Sequence, residues 1–342
     1  MTRPERPSSA LAVLLPALWA ATAFCAAPQS GPEPADQVLD EVLVLGEQPG
    51  PAMWKVSRDG HTLWVMGTMT PRPASMSWRS TQVEAVIERS GEILGSTSAR
   101  ATSDIGLFGA VRLIPALLRA RDNPDGATLH DALPADVFAR YDTLYRRFFR
   151  EDPDLKEKRR PLFAADELYR QALKKSGLTE SSLVWPTVEK LARRYKVPIR
   201  EREFEVELND PKGIIADLAL IKRDQEVACL SATMDHIARD LPNIKRRARA
   251  WAVGNLAELR ALPAAVDRQS CLDALIDALR PRLETRINET QRQIQEDRKG
   301  IFSWMLLANE TSFTTMAIED LLAADGAVAR WRAAGYTVEE PQ

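Results

Sequence analysis

The sequence predicts an α/β fold, a central mixed β-sheet interrupted by a large helical insertion, and three observations carry that expectation. Short apolar runs with strand character lie near both ends, strand, helix and strand alternate there, and apolar residues recur at three- and four-residue spacing between about residues 105 and 308. With 342 residues, 45% hydrophobic and 27% charged, the chain has material for a core and a solvated surface. Lys and Arg (46) nearly balance Asp and Glu (48), so no global positive field points to nucleic acid. The local runs Lys156 to Arg160 and Lys245-Arg246-Arg247 are expected to be solvated faces in helical contexts.

Residues 1–27 have the form of a bacterial secretory signal peptide. Arg3 and Arg6 precede the uncharged run Ala10 to Phe24, and small residues follow at Ala26 and Ala27. That run is shorter than the roughly 20 residues a membrane span needs, so no permanent span is expected and the mature protein should be periplasmic or secreted. Phe24 before Cys25 argues against a lipid-attachment site. Residues 28–50, rich in Pro, Gly, Asp and Glu, form a flexible lead-in with a short strand at Glu41 to Leu45. A single domain should occupy residues 51–342.

Strands are predicted at Trp54 to Val56 and Thr62 to Met69, joined through an Asp59-Gly60 hairpin turn. Ser80 opens a helix over Thr81 to Glu88, which Gly91 ends, and Glu92 to Leu94 forms the next strand. Helices follow at Ile105 to Ala120, Ala135 to Arg150, Ala164 to Lys175 and Pro186 to Tyr195, before a strand at Val197 to Phe204. Asp210-Pro211 starts a helix expected to run toward His236. Asn255 and Glu258 have capping-box spacing, and long helices should reach about Leu307. The chain closes with a strand at Ser312 to Ile318, a helix at Ala324 to Ala334 and a strand ending at Val338.

Loss of the leader leaves Cys229 and Cys271, and two cysteines in an oxidising compartment favour one disulfide over two free thiols. A zinc site is a poorer reading, because there is no CxxC pair and only His236 stands near either cysteine. The three histidines, His61, His130 and His236, fall in a turn and in the helical middle, where surface or local hydrogen-bonding roles are expected. No Gly-x-Ser-x-Gly, Gly-x-x-x-x-Gly-Lys or Gly-x-Gly-x-x-Gly stretch is present.

Several stretches, in order and spacing, resemble the TraB/GumN family: Pro51 to Val56, the strand ending Gly67-Thr68-Met69-Thr70, Trp78-Arg79-Ser80, Ala250-Trp251 to Asn255-Leu256, and Asp325-Gly326 to Val338. The resemblance covers about residues 51 to 340. It implies a sheet split by a helical insertion, as in TraB/GumN-like and ChaN/EreA-like proteins. In active relatives it implies a divalent-metal site for hydrolysis, of peptide bonds in some branches.

Where the resemblance implies a first histidine, at the end of a strand, this chain has Thr70; where it implies the second, it has Asp320. An implied glutamate falls at Gly95 or Ser96, and a third-strand glutamate survives as Glu203, within two residues. A hydroxyl is a poor substitute for imidazole on a transition metal. No cofactor is therefore expected, and the catalytic residues are unknown. The expectation is an exported protein without metallohydrolase activity that binds a peptide, a protein or a cell-envelope component. One alternative is a hydrolase with Asp320, Glu203 and Glu319 around Mn²⁺ or Mg²⁺, in which Glu203 and the Glu319-Asp320 pair could serve as acid and base if their strands are neighbours. Against that, Glu319-Asp320 could simply cap the helix after the last strand. The other alternative is a scaffold acting through its helical middle, marked by an exposed apolar patch there.

Overall fold

The computed structural model describes residues 47–102, 106–154, 157–207, 210–263 and 309–341, with single positions at 271, 278, 288, 289, 292, 293 and 296. For residues 96–101, 106–108, 110 and 202–207 the backbone alone is described. Val42–Gln342 forms one compact unit.

The chain opens with β1 (Glu47–Gln48), β2 (Met53–Arg58) and β3 (His61–Thr68). The β2–β3 hairpin turns on Asp59 and Gly60, both at positive φ (51° and 85°), as a two-residue loop between paired Arg58 and His61 requires. Then come β4 (Arg72–Pro73), β5 (Ser77–Trp78), α1 (Thr81–Arg89) and β6 (Glu92–Thr102). The helical middle comprises α2 (Gly106–Ala120), α3 (Leu129–Ala132), α4 (Ala135–Phe149) and α5 (Pro161–Lys175). After β7 (Leu178–Thr179), α6 (Val184–Tyr195) leads to β8 (Ile199–Glu207), then α7 (Pro211–Leu218), α8 (Arg223–Ala252) and α9 (Leu256–Ala261). The chain ends with β9 (Thr311–Ala317), α10 (Ile318–Leu322), α11 (Ala327–Ala333) and β10 (Thr337–Glu339).

Six strands make the main sheet in the order β10-β2-β3-β9-β6-β8. Strands β3, β9, β6 and β8 run parallel, and β2 and β10 are antiparallel at one side. This is the mixed α/β architecture the sequence predicts, with α2 through α5 inserted between β6 and β8 together with α6.

Two apolar cores follow. One surrounds the sheet, with Trp54, Leu63, Met66, Ile93, Trp251 and Phe313 at its centre. The other lies among α4, α5 and α8, around Leu168, Ala172, Leu230 and Met234. Met69, just beyond β3, packs against both. The second core is also tied covalently, since Cys229 on α8 is joined to Cys271.

Several expectations are corrected. The helix beginning at Pro211 does not continue to His236: it stops at Leu218, and a separate 30-residue α8 starts at Arg223 and runs through Pro242. The strand placed at Glu92 to Leu94 extends to Thr102. The closing helix stands as expected, as α11, but an unexpected short helix precedes it: β9 ends at Ala317 and α10 follows without a loop. The basic runs are not simply solvated: Arg160 and Arg247 are buried, and Lys158-Arg159-Arg160 lies outside any helix, in the loop that N-caps α5. The strand expected at Glu41 to Leu45 and the helices expected beyond α9 toward Leu307 lie outside the described residues.

Candidate functional site

The carboxyl ends of the parallel strands form the edge at which open α/β sheets place ligands, and here that edge is forked. Strand β6 pairs with β9 only from Glu92 to Leu94. Beyond Thr314, β9 continues alongside β3 alone, to the pair Thr68 and Ala317. Beyond a register shift between Leu94 and Thr97, β6 continues alongside β8 alone, to Thr102 and Glu207. Thr314 stands at the crotch of the fork, its hydroxyl donating to the Leu94 carbonyl (3.1 Å).

The sequence-predicted site positions divide between the prongs. Thr70 follows β3 as an exposed residue before a cis peptide bond to Pro71. Glu319 and Asp320 follow β9 in the first turn of α10, where carboxylates favour the positive end of a helix. Ser96 and Glu203 lie on the other prong: Ser96 falls in the register shift of β6, and Glu203 on β8 pairs with Ser98. An acid and base pair formed by Glu203 with Glu319-Asp320 required neighbouring strands. Strand β6 instead stands between β8 and β9, and Glu203 pairs with Ser98 beyond the point where β9 leaves β6.

At the β3–β9 prong Glu319 is already engaged. Both Glu319 carboxylate oxygens accept from Nη2 of Arg247 (2.5 and 2.7 Å). Arg247 is 3% exposed on α8, and its Nη1 donates to the carbonyls of Leu259, Leu262 and Pro263. One turn on, the Trp251 indole donates to the Gly67 carbonyl (2.9 Å). The carboxyl end of α8 therefore clamps the ends of β3 and β9 together. Gly67 has no room for a side chain, since a Cβ there would lie 2.6 Å from Ile318 and 3.1 Å from Trp54.

At the other prong, a Cβ on Gly95 would meet Glu201 Cγ at 2.5 Å and the Trp185 ring at 3.2 Å. A glutamate could stand at 95 only if β8 side chains moved. Arg72, two residues beyond Thr70, is a buried guanidinium that donates to the Ser181 carbonyl (2.7 Å), the Ser181 hydroxyl (3.1 Å) and the Pro73 carbonyl (2.7 Å). Burial pulls its pKa below the ordinary arginine value. Sequence reasoning missed Arg72 and Arg247, because nothing in a charge pattern marks an arginine as buried. Trp251 was within reach, since it falls in one of the stretches that carry the resemblance.

The histidines lie away from the fork. His61 Nδ1 contacts the Asn309 carbonyl (2.8 Å), His236 Nδ1 contacts Asp240 (2.9 Å), and His130 packs edge-on against Phe138. Among the described residues, no group of three or more His, Cys, Asp or Glu side chains converges in a metal-binding arrangement. A depression of about 420 Å³ lies at the start of β2, lined by Gly50, Met53, Lys55, Trp64, Gly254 and Glu339 among others, and includes none of the predicted positions.

The profile of the TraB/PrgY/gumN family matches residues 52–340, the whole described sheet from β2 to β10 with the helical insertion. The chain belongs to the TraB/PrgY/gumN family. Searches of curated proteins and of solved structures found no match. For a TraB/PrgY/gumN protein, the forked edge is where an open α/β sheet directs attention. Position 70 offers a neutral hydroxyl, and Glu319 is neutralised by Arg247.

Proposed function

We propose that this TraB/PrgY/gumN family member is an exported protein that binds a peptide, a partner protein or a cell-envelope component at its forked sheet edge, and does not carry out histidine-based metal hydrolysis. The observations that carry the reading are the threonine at position 70 and the pairing of Glu319, one carboxylate of the alternative site, with buried Arg247. Export is supported by the leader-like residues 1–27 and by the Cys229–Cys271 bond, which suits an oxidising compartment. No described helix is long and apolar enough to cross a membrane.

Elemental analysis and thermal shift against Mn²⁺, Zn²⁺, Co²⁺ and Mg²⁺ test the reading. The expected result is no stoichiometric metal and no shift. Stoichiometric metal that is lost in Asp320→Ala overturns it in favour of an oxygen-ligand centre.

A second reading, assembly through the helical middle, is favoured by one specific observation. Val111, Ile114, Leu117 and Leu118 on α2, with Leu220 beyond α7, are between 46% and 71% exposed.

A further inference from the structure

The α2 surface has a chemistry of its own. Val111, Ile114, Leu118 and the exposed Pro115 lie on one side of the helix, with Leu117 at its margin. The only charged side chains in Gly106–Ala120 are Arg112 and Arg119, both exposed and two helical turns apart on the flank of that stripe. Helix α2 contains no carboxylate. Its neighbour α7 has no buried residue, carries exposed Lys212 and the half-buried Asp217, and runs out into Leu220. Lys222 follows, also exposed, and the nearest acid after α2 is Asp122.

We propose that α2 and the end of α7 dock on the surface of a bilayer carrying anionic lipid. The inference rests on the second reading only in taking this surface as a contact; it names the partner and is independent of chemistry at the fork. The arginines choose among occupants. Packing α2 against α2 of a second copy would bring Arg112 and Arg119 together with no acid on either helix to receive them. An anionic lipid surface accepts an apolar stripe flanked by cations. Pro115 sets the depth: it lacks the N–H that would satisfy the Val111 carbonyl, and that oxygen keeps water at headgroup level but not in hydrocarbon. At 15 residues, α2 spans roughly 22 Å, enough to lie on the interface and not to cross it.

The test is vesicle co-flotation of residues 42–342, the compact unit, with phosphatidylcholine alone and with phosphatidylcholine containing phosphatidylglycerol. Wild type is expected to float with the anionic vesicles and to lose affinity as salt rises. Arg112→Ala with Arg119→Ala should weaken that binding about 25-fold, from ~1 kcal/mol for each arginine near an anionic surface. Ile114→Gln with Leu118→Gln should weaken it at least about ten-fold. All four positions are exposed, so unchanged far-ultraviolet circular dichroism is expected, and scattering-derived mass reports the oligomeric state in parallel. Failure to float with either vesicle overturns the proposal, as does flotation unaffected by the Ile114 and Leu118 substitutions. A dimer that those substitutions dissociate, without vesicle binding, assigns the stripe to a second copy and overturns it too. None of these outcomes bears on the metal measurement at the fork.

Discussion

The two cores are held in different ways. Around the sheet, large apolar side chains meet at close range: Trp54, Trp251, Phe313, Leu63 and Ile93 are each at most 1% exposed. The helical layer adds covalent and ionic ties to its apolar packing. Cys229 is bonded to Cys271, and Arg160 pairs with Glu226 (2.8 Å), both side chains 3% exposed or less. Arg160 also donates to the carbonyls of Ala120, Leu218 and Ile221, so one guanidinium gathers the ends of α2 and α7 and the approach to α8. Both layers rest on apolar burial, and the helical layer adds a covalent bond and a fully buried ion pair, ties that fail as units.

The largest expected effect tests the sheet side. Trp251→Ala should cost about 3–5 kcal/mol, by creating a cavity and leaving the Gly67 carbonyl without its donor, measured by urea unfolding. A loss confined to the helical layer in hydrogen exchange would break the comparison. Next, replacing both Cys229 and Cys271 by Ala should cost about 3–4 kcal/mol, since the bond closes a separation of 42 residues. Faster exchange should concentrate in α5 and α8, and uniform acceleration would argue against two separately held cores. Arg247→Ala should cost about 2–3 kcal/mol, because three carbonyls and a half-exposed Glu319 lose their donor; thermal unfolding reads it.

A smaller effect is visible only against pH. Burial pushes the Glu226 carboxyl above the ordinary value of 4.5, and Arg160 only partly offsets it. A raised folded-state pKa gives stability that is complete below pH 4.5 and is lost as pH climbs through the folded value. Glu226→Gln should therefore flatten the stability slope across that window, and a parallel slope in urea titrations would show that Glu226 is not the titrating group. The smallest effect is expected at Asp320→Ala, within about 0.5 kcal/mol by thermal unfolding, because the side chain is exposed.

Much of the sheet was legible. The Asp59-Gly60 turn, the strand into Gly67 and the capping-box spacing at Asn255 use local signals that the fold obeys; the Asn255 side chain accepts from the Glu258 amide (3.0 Å). Where local signals ended, reading failed. The long-range pairing that carries β6 to Thr102 depends on β8, about a hundred residues away. The burial of Arg160 and Arg247 depends on carbonyls presented by distant helix ends. At the candidate site, the resemblance pointed to Thr70, Asp320, Ser96 and Glu203 but could not show that the sheet edge divides between them. That division follows from which strand each backbone selects as its partner.

The fork also has a mechanical side. Past the register shift, six consecutive residue pairs join β6 to β8, with no third strand beside β6 among the described residues. At about 3.3 Å per residue the ribbon reaches roughly 20 Å beyond its last pairing with β9. It is rooted near Leu94 and Thr314, and α2 and α7 follow β6 and β8 in the chain. At that root Glu201 and the Trp185 ring occupy the space a side chain at position 95 would take, so the angle at which the ribbon leaves the sheet is tied to how β8 and α6 pack there.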